Sequence, residues 1–262
     1  MAMRRNERGF TLIEILIALF LISVVTAAIY KTFRAQQKSY MIQEEVVEMQ
    51  QNLRAGMEIL TREIRMAGYD PTESGNFGFL KAGPSSISFT IDLNENGSVD
   101  SGSNPSDKET LQYQLSDYDG DGVAAELIRT SGGAPVALNI EAIGFAYGYD
   151  TEPDGYLDQD ASGHIIWAVD TNNDGRLDTN LDTNSDGLIN ASDNPAGVAL
   201  TTPVNINTIR AVRIWMLART SREARKFRNT STYVVGDQHI TVNDGYRRSL
   251  ISAIIKCRNM GL

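Results

Sequence analysis

The sequence contains few of the residues from which most catalytic and zinc sites are built. It has one cysteine, Cys257, and two histidines, His164 and His239. A single cysteine excludes an intrachain disulfide, and no Cys/His cluster with zinc spacing is present. No HExxH, GxSxG or phosphate-loop motif occurs either. We therefore expect no enzyme. Both histidines are interpreted as strand or surface residues, and Cys257 as a small buried hydrophobic residue.

Basic residues are also scarce. The chain carries 24 Lys and Arg against 33 Asp and Glu, a formal net charge of −9 and a pI near 4.8. A nucleic-acid-binding protein needs a basic face, so nucleic acid is not expected as a partner. Hydrophobic residues make up 42% of the 262 positions, which is enough for a globular core in one or two domains.

Charge is nearly absent from residues 10–29. This apolar run is about as long as a helix needs to be to cross a ~30 Å hydrocarbon layer. Arg4, Arg5 and Arg8 precede it, which predicts a cytoplasmic N-terminus with the remainder in the periplasm of a Gram-negative cell. A secretory signal peptide would place small residues after the apolar run, whereas here the motif GFTLIE comes before it.

The exception within the apolar run is Glu14. A carboxylate in a membrane span costs roughly 2.5–3.5 kcal/mol or more, so it indicates a function. With the basic leader, the motif from Gly9 to Glu14 resembles the type IV prepilins. The resemblance implies that prepilin peptidase cleaves after Gly9 and methylates the new amino group of Phe10. It also implies that Glu14 neutralises the Phe10 amine of a neighbouring subunit in the filament, so that neither charge is buried unpaired.

No proline interrupts residues 10–70, and apolar residues recur there at helical spacing. A helix over 10–68 is predicted, with 10–29 transmembrane. Gly68 is the expected left-handed C-terminal cap of the helix. Gly56 within the pattern should destabilise the helix by ~1 kcal/mol relative to alanine, which the packing of the apolar stripe offsets. The stripe consists of Val46, Met49, Leu53, Met57, Leu60, Ile64 and Ala67.

The remaining sequence predicts an α+β fold, in which the long helix packs on an antiparallel sheet. Residues 1–9 form the leader and residues 69–262 a globular head, outside the cytoplasm, with an acidic loop-rich region at 92–193. Period-two alternation and apolar runs predict strands at Ser86–Ile91, Thr110–Leu115, Glu126–Thr130, Ile140–Tyr149, Ile165–Val169 and Ile209–Ala218.

Residues 92–193 hold 21 acidic and three basic residues, a balance of −18 that must repel itself unless a cation offsets it. Two tandem segments match the calcium-loop pattern, with oxygen ligands at positions one, three and five, glycine at six and a main-chain carbonyl at seven. Leu181 occupies position twelve of the first, so Asp182 or another acid must close it. The predicted ligands are Asp170, Asn172, Asp174, Arg176 and Asp178, then Asp182, Asn184, Asp186, Leu188, Asn190 and Asp193.

Three weaker copies precede the tandem, and the middle one has only the first half of the pattern. All of these segments resemble the calcium loops of dockerin and thrombospondin-type repeats. The alternative is that Asp, Asn and Gly simply form turns, and it stays open for the second and third copies. Calcium is the predicted cofactor, because magnesium demands stricter geometry. The copies comprise Asp92, Asn94, Asn96, Ser98 and Asp100; Asp117, Asp119 and Asp121; and Asp150, Glu152, Asp154 and Asp158.

Within the prepilins, the chain resembles PilW-type minor pilins, relatives of the J-type pseudopilins of type II secretion. The resemblance rests on residues 53–54, 60–69, 211–214, 246–249 and 256–259. It implies a minor pilin that primes the assembly of a type IV pilus and lies at its tip. The implied partners are other major and minor pilins, prepilin peptidase and the inner-membrane assembly platform. The protein would be a single-pass inner-membrane protein before assembly and part of the pilus afterwards. A type II secretion pseudopilin and a calcium-dependent tip adhesin are the alternatives.

Overall fold

The structure is a computed structural model that describes residues 9–100, 108–130, 133 and 135–261. The predicted leader therefore lies outside the described residues except for Gly9. The chain divides between Glu45 and Val46 into two compact units. The first unit is helical, and the second contains the end of the same helix and all of the strands.

A single helix, α1 (Leu12–Ile64), spans 53 residues. It begins two residues later than predicted. It ends before the predicted cap, because the Met66 N–H bonds to the Glu63 carbonyl (3.0 Å) and tightens the chain into a turn. Gly68 then adopts the left-handed conformation expected of it, with φ of 73°.

The two parts of α1 differ in burial. Up to Met41 its apolar side chains are exposed, and Ile42 is half-buried. The helix is long and apolar enough to cross a membrane. From Val46 onwards a stripe packs into the core of the head. Its fully buried members are Met49, Leu53, Leu60 and Ile64, followed by Ala67 in the turn, with Val46 and Met57 half-buried. The predicted amphipathic stripe is confirmed.

The head contains two larger antiparallel sheets and one hairpin. The first sheet is a five-stranded meander in chain order, and the second has six strands in the order β13-β10-β6-β7-β8-β9. Strands β11 and β12 form the hairpin. The strands are β1 (Phe79–Ala82), β2 (Ile87–Thr90), β3 (Thr110–Ser116), β4 (Glu126–Arg129), β5 (Pro135–Ala137), β6 (Ile140–Tyr149), β7 (Ala168–Val169), β8 (Arg176–Asn180), β9 (Val198–Asn205), β10 (Ile209–Arg219), β11 (Thr232–Val235), β12 (Gln238–Thr241) and β13 (Arg248–Lys256).

The α+β prediction is confirmed, and β10 is the central strand as its apolar sequence indicated. It pairs with β6 on one side and β13 on the other, and most of its residues are buried. Strand β7 is shorter than predicted. Seven strands lack a prediction (β1, β5, β8, β9, β11, β12 and β13), and β9 shows why: most of its residues are exposed, so no alternation marks it.

Polar contacts tie α1 to the first sheet. Glu63 on α1 accepts a hydrogen bond from the Tyr113 hydroxyl of β3 and forms an ion pair with Arg129 of β4 (3.1 Å). Burial raises the pKa of Tyr113 well above its usual range, so the phenol stays protonated and remains a donor. The helix is thereby fixed by directional bonds as well as by its apolar stripe.

Gly56 has a packing role that the sequence did not reveal. It is buried where α1 crosses the sheets, and a Cβ there would lie 2.9 Å from the Ala137 Cβ and 3.5 Å from the Met216 Cε. The absence of a side chain thus lets the helix approach the strands closely.

We predict that Gly56→Leu destabilises the head by about 1–3 kcal/mol, because the added side chain overpacks this contact. Ala55→Leu is the matched control, since Ala55 is the neighbouring residue on the exposed face of the same helix. Urea unfolding of the full chain in detergent, followed by tryptophan fluorescence, measures both. Equal stability of the two variants would contradict the close approach.

Candidate metal-binding loops

All five aspartate-rich segments connect antiparallel strands that are hydrogen-bonded to each other. They join β2 to β3, β3 to β4, β6 to β7, β7 to β8, and β8 to β9. Each first aspartate lies within two residues of the end of the preceding strand. Both interpretations, a plain turn and a metal-binding loop, therefore fit the position of these segments in the fold. The geometry within each connection has to distinguish them.

The first aspartate of every connection accepts a hydrogen bond from the N–H of the glycine five residues later. Each glycine has a positive φ, between 72° and 88°, which a residue with a side chain adopts only with strain. Glycine is thus required by the backbone at this position. The bonds are Gly97 to Asp92 (3.0 Å), Gly122 to Asp117 (2.9 Å), Gly155 to Asp150 (3.1 Å), Gly175 to Asp170 (3.0 Å) and Gly187 to Asp182 (2.8 Å).

The fifth side chain of every connection is held by the N–H of the seventh residue. Position five therefore presents an oxygen in all five connections, as a calcium loop requires. The acceptors and donors are Asn96 and Ser98 (2.7 Å), Asp121 and Val123 (2.8 Å), Asp154 and Tyr156 (2.9 Å), Asp174 and Arg176 (2.9 Å), and Asp186 and Leu188 (2.8 Å).

A further carboxylate closes each connection by accepting the N–H of the second residue. Asp193 does so at the predicted closing position. In the first tandem loop Asp178 accepts this N–H, and metal closure by Asp182 stays a prediction. The closing bonds are Leu93 to Glu109 (2.9 Å), Tyr118 to Glu126 (2.9 Å), Thr151 to Asp158 (3.3 Å), Thr171 to Asp178 (3.3 Å) and Thr183 to Asp193 (2.8 Å).

Two of the closing acids, Glu109 and Glu126, were missed by the sequence reasoning. Glu109 lies beyond the twelve-residue pattern that starts at Asp92. Glu126 lies within the pattern that starts at Asp117, but not at one of its ligand positions. Both are buried. Glu109 is fully buried and also accepts the N–H groups of Asn94 (3.3 Å) and Asp100 (2.8 Å). An acid at the start of an apolar strand was the signal available for both.

The tandem segment combines buried and exposed oxygens. Asp170, Asp182 and Asp193 are buried, whereas Asp174 and Asp186 are exposed. The pKa of Asp186 is lowered, first because the Leu188 N–H donates to it, so it is ionised at neutral pH. The predicted metal ligands there are oxygen atoms, which suits a hard cation such as calcium.

Side-chain amides contact the acids of the tandem. The Asn172 Nδ2 donates to Asp174 (3.2 Å), and the Asn184 Nδ2 donates to Asp186 (3.0 Å). Asn190 donates its backbone N–H to Asp193 (2.9 Å). The oxygens of the same two amides accept the backbone N–H groups of Asp174 (2.9 Å) and Asp186 (3.0 Å).

The middle weaker copy is more complete than its sequence indicated. Asp117, Asp119 and Glu126 form the one group within the described ranges whose three carboxylates approach within 4.8 Å of one another. In the first copy, the amides of Asn94 (2.7 Å) and Asn96 (2.8 Å) both donate to Asp100. In the third copy, Asp150 is buried, and Glu152 and Asp154 are exposed.

The remaining candidate residues behave as expected. Cys257 is fully buried, and burial raises the pKa of its thiol to about 12, which leaves it unreactive. His239 lies in β12. His164 is half-buried, with its Nδ1 2.9 Å from the Ser185 carbonyl oxygen.

Comparison with known families identifies the chain. Residues 4–30 match the prokaryotic N-terminal methylation motif. Residues 103–259, more than half of the chain, match type IV pilus-assembly protein W. The chain belongs to the PilW family. Residues 43–121 also match prepilin peptidase-dependent protein B.

A comparison with curated protein sequences gave no match. Among solved structures, a type IV-like pilin from Thermus thermophilus is 16% identical, with a TM-score of 0.40. The match covers 81% of this chain and 97% of that one. By its two family matches, the PilW-family chain is a type IV pilin-like minor pilin that carries the methylation motif of prepilin peptidase substrates. Its family is structural.

The N-terminus of this PilW-family pilin contains a feature beyond the processing motif. The Thr11 N–H donates to the Glu14 carboxylate, and the Glu14 N–H donates to the Thr11 hydroxyl, both at 3.4 Å. This is the arrangement of a capping box, although both bonds are long. Glu14 therefore has a local contact at the start of α1, and any assembly role must be tested separately from it.

We predict that Glu109→Ala destabilises the head by roughly 3 kcal/mol in chelator, because three backbone N–H groups lose their bonds to this buried, charged acceptor. Glu95→Ala is the control, since Glu95 is exposed in the same connection and accepts a single side-chain bond, from the Tyr69 hydroxyl. Thermal unfolding of both variants in chelator makes the comparison. A Glu109 variant as stable as the Glu95 variant would contradict the closing role.

Proposed function

We propose that this PilW-family minor pilin is cleaved after Gly9, methylated at Phe10, and incorporated into a type IV pilus, where it primes assembly at the tip. The observation that carries the proposal is the exposed apolar surface of the first part of α1, much of which lies within the matched methylation motif, residues 4–30. Such a surface needs either lipid or other pilin helices around it. Before assembly the helix spans the inner membrane, with the head in the periplasm, where the assembly platform receives it.

We expect Gly9→Leu to block processing, because a side chain at the cleavage position obstructs the peptidase. The uncut precursor should stay in the membrane fraction and be absent from sheared filaments. Immunoblotting against the head measures its length and location. A variant of mature length in the filament fraction would contradict cleavage after Gly9.

Glu14 is proposed to pair with the methylated Phe10 amine of a neighbouring subunit. Glu14→Val removes both the charge and the capping contact, whereas Glu14→Gln removes the charge and keeps an oxygen that can accept the Thr11 N–H. Both variants should be inserted and cleaved, and both should be depleted from sheared filaments relative to wild type. If only the Val variant is depleted, Glu14 acts as a helix cap and the pairing is contradicted.

Calcium is proposed to stabilise the head through the tandem segment, residues 170–193. The support is geometric: each of its two loops places the oxygens of positions one and five and a closing acid around one turn. Without a cation these carboxylates repel one another, since residues 92–193 carry a balance of −18. A cation that binds only the folded head stabilises it by RT ln(1 + [L]/Kd).

The full mature chain in detergent should therefore melt at a higher temperature in millimolar calcium than in chelator. The stabilisation is ~2.7 kcal/mol at a calcium concentration one hundred times Kd. Asp186→Ala should shrink the difference, and Glu58→Ala, which removes an exposed acid from α1, should not. Magnesium at the same concentration should stabilise less. A melting temperature that ignores both calcium and chelator would contradict the proposal.

A further inference from the structure

Asp150 carries a buried oxygen that lacks a hydrogen-bond partner. The residue directly follows β6, and its side chain belongs to a residue that is 1% exposed. Its Oδ2 accepts the N–H of Gly155 at 3.1 Å, whereas its Oδ1 has no partner in the described part of the chain. A buried carboxylate oxygen without a donor or a cation is strongly unfavourable.

The four related connections show what is missing here. In each of them the Oδ1 of the first aspartate accepts the N–H of the fourth or fifth residue. The bonds are Asn96 to Asp92 (3.1 Å), Gly120 to Asp117 (2.8 Å), Asn173 to Asp170 (2.6 Å) and Asp186 to Asp182 (3.2 Å).

Pro153 occupies the fourth position of the Asp150 connection, and proline has no N–H to donate. The N–H of Asp154 at the fifth position does not replace it. The unpartnered oxygen therefore follows directly from the sequence of this loop. The other four loops satisfy the same oxygen from their own backbone, whereas the described part of this chain offers it no donor.

The surroundings supply negative charge and oxygen atoms. An open cleft of about 480 Å³ borders the loop and is lined in part by Glu152, Asp154 and Asp158. Asp158 accepts hydrogen bonds from the Thr151 N–H (3.3 Å) and hydroxyl (2.6 Å). This donor set suits a hard divalent cation. Calcium tolerates irregular ligand geometry and coordinated water better than magnesium does.

We propose that the loop from Asp150 to Asp158 binds a calcium ion, with the Asp150 Oδ1 as a ligand and Asp154 as a second. The inference rests on the proposed calcium binding by this head and adds a third site to the tandem. Asp150 directly follows β6, which pairs with the central strand β10. The ion therefore fixes the connection between β6 and β7.

The test counts calcium ions on the full mature chain in detergent. The protein is stripped with chelator, dialysed against calcium, and analysed by atomic absorption for ions bound per chain. Asp150→Ala and Asp154→Ala should each lose one ion. Asp154 is exposed, so its variant remains informative even if Asp150→Ala does not fold. Asp237→Ala is the matched control, because its Oδ1 is also buried without a partner but lies in the turn between β11 and β12.

The outcomes separate this site from the tandem. Loss of one ion in both Asp150→Ala and Asp154→Ala, with no loss in Asp237→Ala, supports the site whatever Asp186→Ala does. Loss in Asp186→Ala alone leaves the tandem proposal standing and overturns the Asp150 site. Equal loss in the Asp237 control also overturns it. A wild-type chain without bound calcium overturns both.

Discussion

The hydrogen bond from a glycine N–H to the aspartate five residues earlier shapes the turns that join paired strands in the head. It recurs in five connections and bends each one back onto the strand it left. In each turn the carboxylate satisfies backbone N–H groups that would otherwise lack a partner within the strand pairing. Three consecutive connections of this kind link β6 to β9, so one half of the six-stranded sheet depends on them.

The same bonds concentrate negative charge. They gather carboxylates at the turns, and residues 92–193 carry three basic residues to offset 21 acids. The apolar contact of α1 with the sheets does not relieve this repulsion. The proposed calcium ions would relieve it at the turns themselves, where the carboxylates lie.

Part of this structure could be predicted from the sequence, and the failures have physical causes. The stripe on α1 and the apolar run of β10 have clear periodicity, and the aspartates and glycines of the loops have fixed spacing. Glu109 and Glu126 close their loops across strands, so no local pattern contains them. The packing role of Gly56 is invisible in the sequence, because its partner Ala137 is distant along the chain. Pro153 has meaning only when the loops are compared in space.

The most direct test of calcium-dependent turns is hydrogen–deuterium exchange of the full mature chain in detergent, in calcium and in chelator. Calcium should slow exchange of the backbone amides in residues 150–158 and 170–193, while β10 exchanges equally slowly in both conditions. Exchange in these loops that is identical with and without calcium would show that the backbone bonds alone hold the turns, and would contradict the account.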